Sequence, residues 1–127
     1  MTSRRIDLGK EGEGLALEAL NKSGYRIIER NFKNKLGEID LIARENNVIC
    51  FIEVKTRADE SFGGPLEAVS KTKQRKLSQV ALSYLKSKGL IEQEARFDVV
   101  AVMIRQDGTK EAQILKNAFE LSPPYSY

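Results

Sequence analysis

A chain of 127 residues, 41% hydrophobic and 31% charged, is long enough for one domain with its own core and too apolar to stay disordered. It has no histidine and one cysteine, which excludes Ser-His and Cys-His catalysis, histidine-ligated or cysteine-rich zinc, and any internal disulfide. A metal here must sit on oxygen ligands, which favours Mg²⁺ or Mn²⁺.

The net charge of +3 identifies no partner, but its distribution is uneven. Between Ser70 and Leu90 stand six cations (Lys71, Lys73, Arg75, Lys76, Lys86 and Lys88) and no acid, leaving −3 on the rest of the chain. The opening residues MTSRRIDLGKEGEG lack the apolar run of a signal peptide. No stretch approaches the ~20 apolar residues of a membrane span. A cytoplasmic protein in a reducing compartment is expected, without a membrane partner.

In chain order, a first helix is expected over Asp7 to Lys22. Leu8, Gly12, Leu15, Ala16, Ala19 and Leu20 fall at the helical period, and Gly24 stops it. YRIIERNF reads as a strand, KNKLG as a turn, and residues 37–57, GEIDLIARENNVICFIEVKTR, as a hairpin. RADESFGGPLEAV is a loop carrying Gly63, Gly64 and Pro65, either a flap over nucleic acid or a plain connection. Ser70 is placed to cap a second helix, Lys71 to Lys88, whose core stripe is Leu77, Val80, Ala81, Tyr84 and Leu85 and which Gly89 ends. RFDVVAVMIRQDGTKEAQILKNAF reads as two strands about Asp107-Gly108, and residues 119–127 as an irregular tail. The order α-β-β-β-α-β-β predicts one α/β domain over residues 1–127, a mixed central β-sheet flanked by helices. The second helix supplies the crossover that parallel strands need.

The hairpin carries the chemistry. With Asn46-Asn47 as a two-residue turn, Asp40 faces Glu53 and Glu38 faces Lys55. Alternation then puts Glu38, Asp40, Ile42, Phe51, Glu53 and Lys55 on one face, and Ile39, Leu41, Ala43, Cys50, Ile52 and Val54 on the other. Opposed residues have Cβ atoms about 5 Å apart, so two facing carboxylates repel unless a cation lies between them. Lys55, two residues beyond Glu53, brings an ammonium group to the same place. The plainer account is a polar sheet face open to water. Ile42 and Phe51 on that face count against it, since they imply a cover near one end, and only the Asp40–Glu53 opposition is anomalous under it. Cys50 falls on the apolar face and reads as core, not nucleophile.

GEID followed by FIEVK resembles the metal-binding core of the restriction-endonuclease-like, or PD-(D/E)XK, superfamily. From Gly9 to Val102, through GEGLALEALNKSGYRIIERNF, AVSKTKQRKL and RFDVVAV, the chain looks like the bacterial YraN family, similar in fold to archaeal Holliday-junction resolvases. The resemblance implies a restriction-endonuclease-like fold. It also implies metal ligation by Asp40, Glu53 and the Val54 carbonyl, with Lys55 placing or activating the attacking water. Glu13 matches a first-helix glutamate that joins the site in the resolvase-like branch. Periodicity does not single it out, since Glu11 and Glu18 lie at the opposite edge of the same stripe. The proline that precedes the aspartate in the superfamily's name is replaced here by Ile39. Lys73, Gln74 and Arg75 match the family's K-Q-R, where Gln74 would orient a phosphate or water.

Lys71, Lys73, Arg75 and Lys76 crowd the start of the second helix. Cations there oppose the helix dipole but, with the free amides, attract phosphate. The plainer account is a solvated lysine-rich helix. Three functions remain open on these residues: a Mg²⁺- or Mn²⁺-dependent nuclease acting on DNA, structure-selective because the grip is on the backbone; a nucleic-acid-binding module that does not cleave; or a small interaction protein with a solvated charged face. DNA is favoured over RNA. A homodimer is what resolvase-like relatives, facing a two-fold junction, would suggest.

Overall fold

Leu8, Ala16 and Leu20 recur at helical spacing, and they lie on helix α1, Thr2–Lys22. The structure, a computed structural model, describes residues 2–59 and 69–121, with side chains from residue 8 onward. The Gly63-Gly64-Pro65 loop and residues 122–127 lie outside the described residues. Helix α1 starts before the expected Asp7, because neither glycine nor proline interrupts Thr2 to Leu8. It ends with Gly24 at φ 92° and the Tyr25 N–H donating to the Leu20 carbonyl at 3.0 Å, a closure that needs a left-handed residue.

Three strands follow: β1 (Arg26–Asn34), β2 (Gly37–Glu45) and β3 (Val48–Arg57). Asn46 takes φ 55° in the β2–β3 turn, which asparagine tolerates. The register is the expected one, with Leu41 opposite Ile52, Ala43 opposite Cys50 and Glu45 opposite Val48. Helix α2 (Lys71–Ser87) is capped by Ser70, whose hydroxyl accepts from the Lys73 N–H at 3.1 Å. Gly89, at φ 69°, closes it, and the stripe Leu77, Val80, Ala81, Tyr84 and Leu85 is buried. Strands β4 (Ala95–Ile104) and β5 (Lys110–Phe119) complete the chain. Phe119 is not tail: it is the last residue of β5, stacked on Phe97 with ring centroids 4.6 Å apart.

The sheet order is β1-β2-β3-β4-β5, antiparallel except for the parallel pair β3–β4 that α2 connects. The fold is thus a mixed α/β arrangement of one five-stranded mixed sheet and two helices. Each helix covers one face. Ala16 and Leu20 of α1 pack on Leu41, Ala43, Cys50, Ile52, Val100 and Val102. Leu77, Val80, Ala81 and Tyr84 of α2 pack on Ile42, Ile49, Phe51, Phe97 and Val99. Burying one such side chain contributes about 1.5–3 kcal/mol, and the strands buried on both faces account for the apolar runs in β3 and β4.

Gly12 sets the distance between α1 and the sheet. A Cβ built there would lie 2.0 Å from the Thr56 Oγ1 of β3, so only glycine fits the crossing. No helix among the described residues is long and apolar enough to cross a membrane.

One residue departs from the expected faces. Ile39 packs with Ile42, Phe51 and Phe32 on the α2 side, not with Leu41 on the α1 side. Strict alternation fails between residues 39 and 41, and the break falls on Asp40. The β2–β3 ladder runs from Glu45–Val48 to Leu41–Ile52, whereas β2 stays paired with β1 to its end, through Phe32–Ile39 and Lys33–Glu38. Beyond Leu41, β2 therefore follows β1 away from β3, and the sheet parts at Asp40 and Glu53.

Candidate functional site

Asp40 stands at that parting. Its Oδ2 accepts a hydrogen bond from the Val54 N–H at 2.8 Å, so a side chain takes up the amide beyond the end of the ladder. Glu53, 7% exposed, projects from β3 toward α2. The two carboxyl groups are close enough for the charge of one to act on the other. Burial, then the Glu53 charge, push the Asp40 carboxyl up to about 7. Two carboxylates in a half-buried cleft cannot both be charged at low cost without a cation.

The structure supplies two cations to Glu53. Lys55 Nζ lies 3.6 Å from Glu53 Oε2. Lys73, from the first turn of α2, makes a closer ion pair with the same oxygen. Burial, then the neighbouring Lys73, hold the Lys55 ammonium below its ordinary range. Burial also acts to lower Lys73, but the Glu53 carboxylate outweighs it and the net direction is upward. Four side chains, two acids and two lysines, thus share one small volume at the mouth of the β2–β3 parting.

The remaining expected residues fall elsewhere. Glu38 stands across from Lys33 of β1 rather than from Lys55, because β2 has left β3 by that point. Glu13 does not join the pair: its Oε1 accepts from Arg30 of β1 at 2.8 Å. Glu11 is paired with Lys110 and Glu18 with Lys22. Among the described residues no group of three acidic or thiol side chains is placed to hold a metal, so the side-chain donor set is Asp40 and Glu53. Gln74 Nε2 donates to the Val69 carbonyl at 3.0 Å and fastens the entry to α2. Lys71, Arg75 and Lys76 are exposed along the start of α2, while Lys73 turns inward onto Glu53. Sequence reasoning gave Lys73 to the backbone-contact cluster. The missed signal is spacing: Lys73 lies one helical turn before the buried Leu77 and so prolongs the core stripe.

A second polar cluster went unnoticed in the sequence. Asp98 of β4, 1% exposed, accepts from the Tyr25 hydroxyl at 2.7 Å, from Arg96 Nε at 2.9 Å and from the Asn117 N–H at 2.9 Å. It fills an irregularity where the β4–β5 register shifts between Phe97 and Val99. Arg96 also donates to Glu45, which Lys116 pairs from β5. Every buried side-chain polar atom here has a partner, and the cluster ties the segment between α1 and β1 to β2, β4 and β5. Cys50 is fully buried beside it, and burial, followed by the Asp98 charge, pushes its thiol up to about 12, as befits a core residue.

Fold and cluster together define a mixed α/β protein with a carboxylate–lysine site at the parting of two central strands. The model of the uncharacterised protein family UPF0102 matches residues 12–102, a span that contains the whole cluster, and the chain belongs to that family, the YraN-like one its sequence resembles. It is 46% identical over 115 residues to a UPF0102 protein of Geotalea uraniireducens, covering 91% of each chain. It is 47% identical over 112 residues to one from Alkaliphilus metalliredigens, covering 88% of this chain and 96% of that one. With the Moorella thermoacetica relative it shares 45% identity over 120 residues, covering 94% of this chain and 100% of the other. Among solved structures it is similar to Pyrococcus furiosus SfsA in complex with Ca²⁺, at 13% identity and a TM-score of 0.43, spanning 88% of this chain and 63% of that one.

Proposed function

We propose that this protein is a restriction-endonuclease-like, Mg²⁺- or Mn²⁺-dependent nuclease that hydrolyses DNA phosphodiester bonds. The observation that carries the reading is the meeting of Asp40 and Glu53 where β2 leaves β3, with Lys55 alongside. The donor chemistry fits a hard divalent cation: two carboxylates, with the Val54 carbonyl as the third ligand that the resemblance implies. When bound, such a cation polarises the phosphate and lowers the pKa of a coordinated water.

The chain's own residues do the rest. The Asp40–Val54 hydrogen bond fixes one carboxylate against the β3 backbone, so the acid is held before any ligand arrives. Lys55, on the same strand, orients the nucleophile and offsets the charge that develops on the phosphoryl oxygens. Lys71, Arg75 and Lys76 at the start of α2 meet the phosphate backbone without reading bases. That grip favours structure-selective cleavage of junctions, flaps or single strands, as in Holliday-junction resolvases.

A second reading is binding without cleavage. It is favoured by the two-carboxylate donor set, with Glu13 held by Arg30 outside it. One experiment separates the two: purified protein with Mn²⁺ or Mg²⁺ on single-stranded, duplex, flap and four-way-junction DNA, beside Asp40→Ala and Lys55→Ala. Metal-dependent cleavage lost in both variants supports the nuclease. Salt-sensitive binding with no cleavage supports the binding module, and cleavage that survives in both variants belongs to a contaminant.

A further inference from the structure

We propose that Lys73 is an exchangeable counter-ion of the site, seated on Glu53 when no divalent cation is bound and displaced when one binds. This rests on the cation-binding reading above. Lys73 makes the closest ion pair of Glu53, closer than Lys55 at 3.6 Å. A buried carboxylate is costly without a charged partner, and the Glu53 side chain is 8% exposed against 39% for Lys73. The acid is fixed in the sheet, whereas the ammonium stands at the rim on a flexible stem and can leave.

Charge balance favours the exchange. Asp40 and Glu53 offer two negative charges, and Lys55 and Lys73 already supply two positive ones. A divalent cation added to that set would leave a net +2 in a half-buried cleft. Lys55 is anchored on β3, in register with Ala101 of β4, and is the less exposed lysine, at 27%. Lys73 is the one with an exit, toward the exposed face of α2 where Lys71, Arg75 and Lys76 stand. The displaced ammonium then joins the cluster that meets phosphate, so one side chain serves as internal counter-ion in the resting protein and as a backbone contact in the loaded one.

The consequence is competition: an occupied site lowers apparent affinity by the fraction of time it is open, so a site open about one-tenth of the time binds about tenfold more weakly. The test is calorimetric titration of Mn²⁺ into metal-free protein at about 0.15 M salt, where more distant charges are screened. The chains compared are wild type, Lys73→Gln, Lys73→Ala, Lys73→Arg and Lys86→Gln, with Glu53→Gln to define the site. Thermal unfolding in EDTA is read in parallel. We expect Lys73→Gln and Lys73→Ala to bind Mn²⁺ about tenfold more tightly while melting lower without metal. Lys73→Arg and Lys86→Gln should stay within about twofold of wild type. A purely structural ion pair would lower melting without tightening Mn²⁺. Equal or weaker Mn²⁺ binding in both neutral variants, with a Glu53-dependent site present in wild type, overturns the role of Lys73 and leaves the cation site standing. Tightening as large in Lys86→Gln also overturns it. No Glu53-dependent binding in any chain overturns both.

Discussion

The Val54 amide donates to Asp40 Oδ2 at 2.8 Å across the point where β2 and β3 separate. This hydrogen bond couples the site to the fold, because the carboxylate that would hold a cation also finishes the hairpin. Asp40→Asn keeps an oxygen acceptor and removes a charge that the cleft disfavours. We expect its metal-free melting temperature to match or exceed wild type while Mn²⁺ binding is lost. Asp40→Ala leaves the Val54 N–H without that acceptor and should cost about 1–3 kcal/mol. Thermal melts in EDTA, paired with Mn²⁺ titration, check both.

The same residue sets a pH dependence. The Asp40 carboxyl titrates at its ordinary 3.8 when unfolded and at about 7 when folded without metal. Between those values the folded state binds the extra proton, so stability falls as pH rises from about 4 to about 7. Chemical denaturation of the metal-free protein across that range should show the fall, on the order of a few kcal/mol. Asp40→Asn should flatten it. An unchanged slope in that variant would assign the titration to another group.

The α1–sheet crossing is sterically sharp. Gly12→Ala places a methyl 2.0 Å from Thr56 Oγ1, and either helix or strand must shift. A loss of about 1–3 kcal/mol is expected, against the small gain that alanine brings to an unobstructed helix. Adding Thr56→Ala should recover part of it, a coupling visible in a double-mutant cycle of unfolding free energies.

Asp98 anchors the opposite polar cluster. Asp98→Ala leaves the buried Tyr25 hydroxyl without its acceptor and takes one partner from Arg96, which keeps Glu45, and should cost about 1–3 kcal/mol while leaving the Asp40–Glu53 end intact. Urea denaturation measures the loss. If the variant stays folded, its Mn²⁺ affinity should match wild type, since Asp98 bonds Tyr25 of the α1-side core whereas Glu53 pairs with Lys73 of α2.

Most of the hairpin was legible in the sequence, because Asn46-Asn47 sets a register that alternation then extends through Leu41 and Ile52. The helix cap at Ser70 and the α2 stripe were legible for the same reason: both are local. Ile39 was not, because its face is set by β1, which holds the end of β2 after β3 has let go. Local periodicity carries no trace of that divergence. Lys73 sat on a readable stripe and was missed because its charge outweighed its spacing. Asp98 could not be read at all, since Tyr25 and Asn117 reach it from 73 and 19 residues away.

The central claim is a cation held between Asp40 and Glu53. The most direct measurement is electron paramagnetic resonance of Mn²⁺ titrated into metal-free wild type and Glu53→Gln. The account expects one Mn²⁺ sequestered per wild-type chain and none by the variant. Wild-type protein that leaves all Mn²⁺ free, or a variant that binds it equally well, would contradict it.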